Sequence, residues 1–473
     1  MRSSKLFHFL SRLSDPQGRA FLRYLSSPYH NKKSVLVDLA KVFFERLLPY
    51  KHRNISEEDT FELLFPGKAY NKIMFRKLKT ELLEHYHLFL ELEAFKAGSP
   101  YKWLLRLRQL NDLQEDRFFE QSLRSAFQAI APLEPTIEGL EWRSLFLVER
   151  YAYEVRQPDR RPPNTLTEAR DLRLDYHAAL EVRFAFLSAN QRGVTGRGGE
   201  RGVNSAALER MRERLSEFPE EAQGYFHLLH CMEGEVVHYG ELKRLLDFQG
   251  EAAPPWSRDL ITGALNHSFR AFNKGRADYL VEIFRWYQRA LVEGILVEDG
   301  HLLASHLKNA VSVAAKLGHH EWASDLVDRY ADRLTGDHQH NARVYNEAVI
   351  SMHQGDYATA ISHFNQVLAD YQDHFYGLDA RVFMMQSCYL GGEHSLAESM
   401  CHSTRMFVKR HQHLSKERKK RYMDFVRYFT RLLECPPHDT GRLERLQRDV
   451  EEKAAMPAKK WLLEQLAGLL AKA

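Results

Sequence analysis

The chain has 473 residues, of which 44% are hydrophobic, 27% charged and 12% aromatic, with 25 Gly, 16 Pro and 4 Cys. That apolar share can bury a large core, which excludes wholesale disorder, a collagen-like chain and a disulfide-stapled scaffold, and the length suits two or three domains or one elongated array. Lys and Arg number 67 against 63 Asp and Glu, a formal +4, so no global field draws the chain to nucleic acid or membrane and any basic surface must be local.

The first apolar run, Leu6 to Leu10, is short, broken by His8 and followed by Ser11-Arg12. It lacks a small-residue cleavage site, so no leader peptide is expected. No stretch approaches the roughly 18 to 20 apolar residues that cross a bilayer. From Ser34, the apolar positions Val35, Leu36, Leu39, Val42, Phe43 and Leu47 recur at three and four, which predicts a helix closed by Pro49. Ser56-Glu57-Glu58-Asp59 has the form of a capping box before Phe61, and Pro66-Gly67 breaks the chain. A long helix is expected from about Asn71 to Ala97, burying Ile73, Leu78, Leu82, Leu83, Tyr86, Phe89 and Leu90. Further helices are expected near 101–130, 138–156 and 166–190. Strand-like runs are almost absent, so the fold class is all-α.

Two breaks interrupt this pattern. One is Pro158 to Pro163, and the other is the only Gly-rich stretch, Gly193 to Gly202. The second lacks the strand that a phosphate-cradling loop requires before it and carries no Gly-Lys-Ser/Thr, so 191–203 reads as a flexible connector.

Gly318, Gly355 and Gly392 stand 37 residues apart, and each is followed five residues later by Ala: Ala323, Ala360 and Ala397. A helical hairpin repeated three times explains this spacing, the Gly ending the first helix in a left-handed conformation and the Ala letting the second pack closely. Gly275 is a weaker echo, with Leu280 at the Ala position and Phe284 at the later apolar one. In the middle unit, Ala348, Gly355, Tyr357, Ala360 and Phe364 fall on a small-then-aromatic signature, and the unit resembles a tetratricopeptide repeat. The flanking units depart from it: Val311 and Met385 replace the first small residue, Val327 and Cys401 replace the Phe, and the period is 37 residues. The resemblance covers about 304–411 and implies a superhelix with a concave partner-binding face. The segments Phe21 to Lys32 and Leu64 to Asn71 resemble a pattern in a bacterial all-helical family that brings no known activity with it. Locally, Pro28 and Pro66-Gly67 are expected to end helices, while Tyr29 and Tyr70 pack the turns.

Among candidate sites, His227, His230 and Cys231 lie on one helix, which supplies two converging ligands at best, so they read as surface histidines on a partly buried helix and no metal is expected. His85 with His87, His338 with His340 and His411 with His413 are i, i+2 pairs that point apart on a helix. No Gly-x-Ser-x-Gly elbow or catalytic Cys setting is present, and Glu57-Glu58 and Glu220-Glu221 read as helix-start acids. The strongest local charge lies in 409–431, with nine Lys or Arg against two acids, a net +7. There Tyr422, Phe425 and Phe429 form a core stripe, and Lys416, Arg418, Lys419, Lys420 and Arg421 are the candidate contacts for an acidic partner or nucleic-acid phosphate. The basic block 66–79, with Lys68, Lys72, Arg76, Lys77 and Lys79, offers a second route to nucleic acid, although its connection exceeds that of a helix-turn-helix. Near the C-terminus, Trp461, Leu462, Leu466, Leu469 and Leu470 form one stripe of a closing helix.

The resulting expectation is an α-solenoid of tetratricopeptide-like helical hairpins with a helical N-terminal domain. It comprises an N-terminal domain at 1–190, the connector at 191–203, a repeat array at 204–435 and capping helices at 436–473. The expected function is a non-enzymatic, cytoplasmic scaffold that binds a protein partner through its concave face, without cofactor, metal or membrane. Nucleic-acid-associated regulation through 66–79 or 409–431 is the alternative. Four scattered cysteines, Cys231, Cys388, Cys401 and Cys435, suit a reducing compartment.

Overall fold

A computed structural model describes residues 4–48, 55–157, 164–195, 204–234, 236–248, 252–335, 339–369, 376–411, 414–436, 438–453 and 456–472. The Pro158 to Pro163 break lies outside the described residues, as does most of the Gly-rich connector, whose start continues the helix Thr165–Thr195. The architecture is all-α: helices dominate, and the only strands among the described residues are three short ones. The chain divides into two compact units, Met1–Phe184 with Gly199–Ala222, and Ala185–Gly198 with Gln223–Ala473.

The first unit has two apolar cores. Phe21, Leu39, Phe43, Phe61, Phe75, Leu82 and Phe89 meet in one, and Leu107, Phe119, Ala126, Trp142 and Phe146 in the other. Helix Ser34–Lys41 does not run straight to Pro49. It widens into a π-helical stretch, Val42–Leu47, where the Leu48 amide donates to the Phe43 carbonyl at 2.9 Å. Ser56 and Asp59 form the capping box reciprocally, their side chains bonding each other's amides at 3.0 and 3.1 Å. The long helix is Lys72–Lys96, capped by the Asn71 side chain. Its buried stripe is Phe75, Leu78, Leu82, Tyr86 and Phe89, which corrects the expected set: Ile73 is 73% exposed and Leu90 is exposed. Tyr29, expected to pack a turn, is 89% exposed; Asn31 holds that turn by donating to the Leu25 and Lys33 carbonyls. Tyr70 does pack, against Phe61 and Phe75, and donates to Glu57.

The expected single helix at 101–130 is two, Tyr101–Asp112 and Asp116–Ile130, separated where Gln114 takes φ +57°. Residues 205–222 fall with the first unit, whereas the boundary at 203/204 would have placed them in the array. Two ties account for this: Arg210 donates to Asp175 at 2.6 Å, and the buried Glu221 accepts from the Ile137 amide at 2.8 Å. Glu221 therefore caps the helix Ile137–Glu154, distant in sequence, as well as standing near its own helix start.

In the second unit, helices follow one another as packed neighbours: Arg258–Asn273 on Tyr279–Val292, Ala304–Lys316 on His320–Tyr330, Gln339–Gln354 on Tyr357–Ala369, and Gly377–Leu390 on His394–Arg410. The first helices of these last three hairpins also touch in turn. Lys416–Leu433, Thr440–Glu451 and Lys459–Leu470 complete the unit, Trp461 stacking on Phe429 at 5.9 Å. Three short strands, Val297–Glu298, His301–Leu303 and Leu334–Thr335, form one small sheet. The first two are antiparallel with Val297 opposite Leu302, and the last is parallel with Leu302 opposite Leu334. Asp299 and Gly300 both have positive φ, the geometry of a type I′ turn.

Candidate functional site

The three 37-residue hairpins share one backbone device. Gly318, Gly355 and Gly392 have φ of +84°, +86° and +76°. After each, the next amide reaches back to the carbonyl five residues earlier: His319 to Ala314 at 2.9 Å, Asp356 to Ser351 at 2.9 Å and Glu393 to Cys388 at 2.8 Å. This is the Schellman stop, which satisfies carbonyls that the helix end leaves open. The second helix then starts two residues after the Gly, at His320, Tyr357 or His394, so Ala323, Ala360 and Ala397 all occupy its fourth position and all are fully buried. The Gly275 hairpin shares the stop, with Arg276 bonded to Ala271, but its second helix starts only at Tyr279. Leu280 is therefore two positions out of register with the three alanines.

Packing inside the hairpins explains the departures from the repeat signature. In the second hairpin, Ala348 and Phe364 are fully buried, with Phe364 against the Tyr345 and Phe383 rings. In the third, Met385 and Cys401 take those places, also buried, and their sulfurs lie 3.7 Å apart. In the first, Val311 and Val327 are buried. Small with large, large with small and medium with medium give pairs of comparable combined volume, the substitution that close-packed cores tolerate best. Tyr357 links two hairpins: a Cβ at Gly391 would stand 3.1 Å from its own Cβ.

A polar cluster on the first helices escaped the sequence reading. Lys308 on Ala304–Lys316 lies 2.5 Å from Asp379 on Gly377–Leu390 and over the rings of Tyr345 and Tyr376 at 5.7 and 5.9 Å. Tyr422 donates to the other Asp379 oxygen at 2.7 Å. Burial holds the Tyr345 phenol well above its ordinary pKa, and burial followed by the Asp379 charge does the same for Tyr422. The period carried a signal for part of this: Lys308 and Tyr345 each stand ten residues before their glycine. Helix Gly377–Leu390 is buried almost all round, Arg381 and Gln386 included. Accessible side chains on a first helix therefore concentrate on Ala304–Lys316, where Ser305, Asn309 and Lys316 are exposed and Ser312 is half-buried.

No family model, curated protein or solved structure matches the chain.

The remaining candidates separate by geometry. His227 and His230 are buried, not on the surface. His227 Nδ1 lies 2.9 Å from His238 Nδ1, and His230 Nδ1 bonds the Phe226 carbonyl. Burial, reinforced by the neighbouring histidines, pushes the His227 pKa down to about 4, so the ring is neutral near pH 7. No group of three or more His, Cys, Asp or Glu is placed to hold a metal among the described residues. Of the i, i+2 histidines, His338 and His413 lie outside the described residues. All four cysteines are buried free thiols, and burial pushes Cys388 up to about 12, which leaves it a poor nucleophile. In the block 66–79, Lys68, Lys72, Arg76 and Lys77 are exposed, but Lys79 is taken by Glu57 at 2.5 Å. In 409–431, Lys416, Arg418, Lys420 and Arg421 are exposed and Lys419 half-buried, while Tyr422, Phe425 and Phe429 are buried. No helix of the described residues is long and apolar enough to cross a membrane.

Proposed function

We propose that the chain is a scaffold without catalytic activity, a tetratricopeptide-like solenoid that binds a protein partner through the face lined by the first helices of its hairpins. The observation that carries this reading is the recurrence, every 37 residues, of the same Schellman stop followed by a buried Ala at the fourth position of the next helix. Units built this way stack, and stacked units present an extended surface rather than a single deep pocket. The packing of each first helix on the next supports the same reading.

The accessible stripe Ser305, Asn309 and Ser312 is the place to test it. Replacing all three with Arg in the full chain should abolish partner recovery in a cross-linking pull-down read by mass spectrometry. Charge reversal of Glu321, Asp325 and Asp328, exposed on the second helix His320–Tyr330, should leave recovery unchanged. Equal recovery with both variants, or loss confined to the second-helix variant, overturns the assignment of the face.

A further inference from the structure

Helix Lys416–Leu433 buries Tyr422, Phe425, Val426, Tyr428, Phe429 and Leu432 on one side. At about 100° per residue, Lys416, Lys420 and Arg427 fall within about 40° of one another on the opposite side. All three are exposed. They form a ridge about 16 Å long, at a rise of about 1.5 Å per residue.

The two acids of this helix and one on the helix Thr440–Glu451 are engaged elsewhere. Glu417 pairs with Arg421, Asp424 with Lys453 at 3.7 Å, and Asp449 with Arg431 at 2.6 Å. Lys416 and Lys420 have no ion-pair partner among the described residues, while Arg427 donates to the Tyr428 hydroxyl at 3.2 Å, lies over that ring at 4.9 Å and acts on Asp449 through its charge. The placement also opposes local stability. Lys416, Arg418, Lys419, Lys420 and Arg421 crowd the first two turns, where the helix dipole favours acids. The stability of this helix does not account for its cations.

The kind of partner follows from what surrounds the charge. The aromatic side chains of the helix are buried, so they offer no platform on which single-stranded bases could stack. Duplex affinity grows with the number of phosphates neutralised, and three cations on a chain of formal charge +4 neutralise few. An extended peptide matches better. At about 3.3 Å per residue, about five extended residues span the roughly 16 Å from Lys416 to Arg427.

We propose that the Lys416–Lys420–Arg427 ridge docks an extended acidic segment of a partner protein. This rests on the scaffold reading only in supposing a protein partner, and the ridge lies outside the hairpins 304–410.

The test is fluorescence anisotropy of a labelled (Glu-Ser)5 peptide with the full chain, with an uncharged (Gln-Ser)5 peptide and a short DNA duplex as competing probes. The acidic peptide should bind and the uncharged one should not. Affinity should fall at least tenfold on Lys416→Glu/Lys420→Glu/Arg427→Glu, and also between about 50 mM and about 200 mM salt. The Gln triple at the same positions should give an intermediate loss, and it keeps the measurement decisive if the Glu triple folds poorly by circular dichroism. Unchanged peptide affinity in the Gln triple overturns the proposal. So does tighter binding of the duplex that the same triple abolishes, which would make the ridge a nucleic-acid contact. The Ser305/Asn309/Ser312 variant should bind the peptide normally, so failure of the ridge and failure of the first-helix face give different results.

Discussion

The second and third hairpins, 339–369 and 377–410, share a backbone and differ inside it. Each ends its first helix with a left-handed glycine and buries an Ala at the fourth position of its second helix. Between those fixed points the second hairpin places Ala348 with Phe364, and the third places Met385 with Cys401. The difference teaches that the unit is specified by where its helices stop and by the volume between them. Which residue supplies that volume is free to change, because close packing responds to shape and size more than to identity.

Three experiments break or sharpen that comparison. The largest effect is expected from the core pair. Met385→Ala alone should cost about 2 to 5 kcal/mol in chemical denaturation, and Cys401→Phe alone should cost about 1 to 3 kcal/mol through overpacking. Together they recreate the second hairpin's pair, so the double variant should lose less than the sum, with at least 1 kcal/mol of coupling as a rough threshold. Strict additivity would refute volume compensation.

Next comes acid. Burial, with Lys316 and His320 nearby, pushes the His353 pKa down to about 4, whereas the third hairpin carries Leu390 at the equivalent place. A histidine whose folded pKa lies below its unfolded value of about 6.5 takes up protons on unfolding, so stability is full above that pH and is lost as pH falls towards 4. The expected loss is about 1 to 2 kcal/mol between pH 7 and pH 5. His353→Leu should flatten the dependence of the denaturation midpoint by that amount; an unchanged slope would mean the ring is not neutral in the fold.

The smallest effect concerns the stops. No atom lies within 4 Å of a Cβ placed on Gly355 or Gly392, so Ala at either meets only the backbone penalty. Each should cost about 1 to 2 kcal/mol, and the two should agree closely in thermal midpoint. Gln114, which holds a positive φ in the first unit, offers the reverse case: Gln114→Gly should gain up to about 1 kcal/mol.

Much of this was legible because it is local. Helical periodicity, the Ser56 capping box and the glycine stops each depend on a few neighbouring residues, and each is where the sequence places it. The misses have other causes. Asp299-Gly300 is a hairpin signal flanked by strands too short to show alternation. Ile73 obeys the helical period yet stands exposed in the first turn of its helix, and Tyr29 is left outside while Asn31 fixes its turn. The His227–His238 contact and the Glu221 cap on Ile137 join residues whose proximity only tertiary packing creates. Of the candidate sites, the basic helix was readable from charge and period together. The Lys308–Asp379–Tyr422 cluster was not, since its members meet across three separate helices.

That cluster also bears on how the hairpins come apart. Units that touch only their neighbours fray from an end, each loss leaving the next unit nearly intact. The bridge from Lys308 to Asp379 passes over the second hairpin and fastens the first to the third, 71 residues away. Opening either end removes one charge from a half-buried pair and strands the other, a penalty felt at both ends at once. The pair thereby ties the opening of the first hairpin to that of the third.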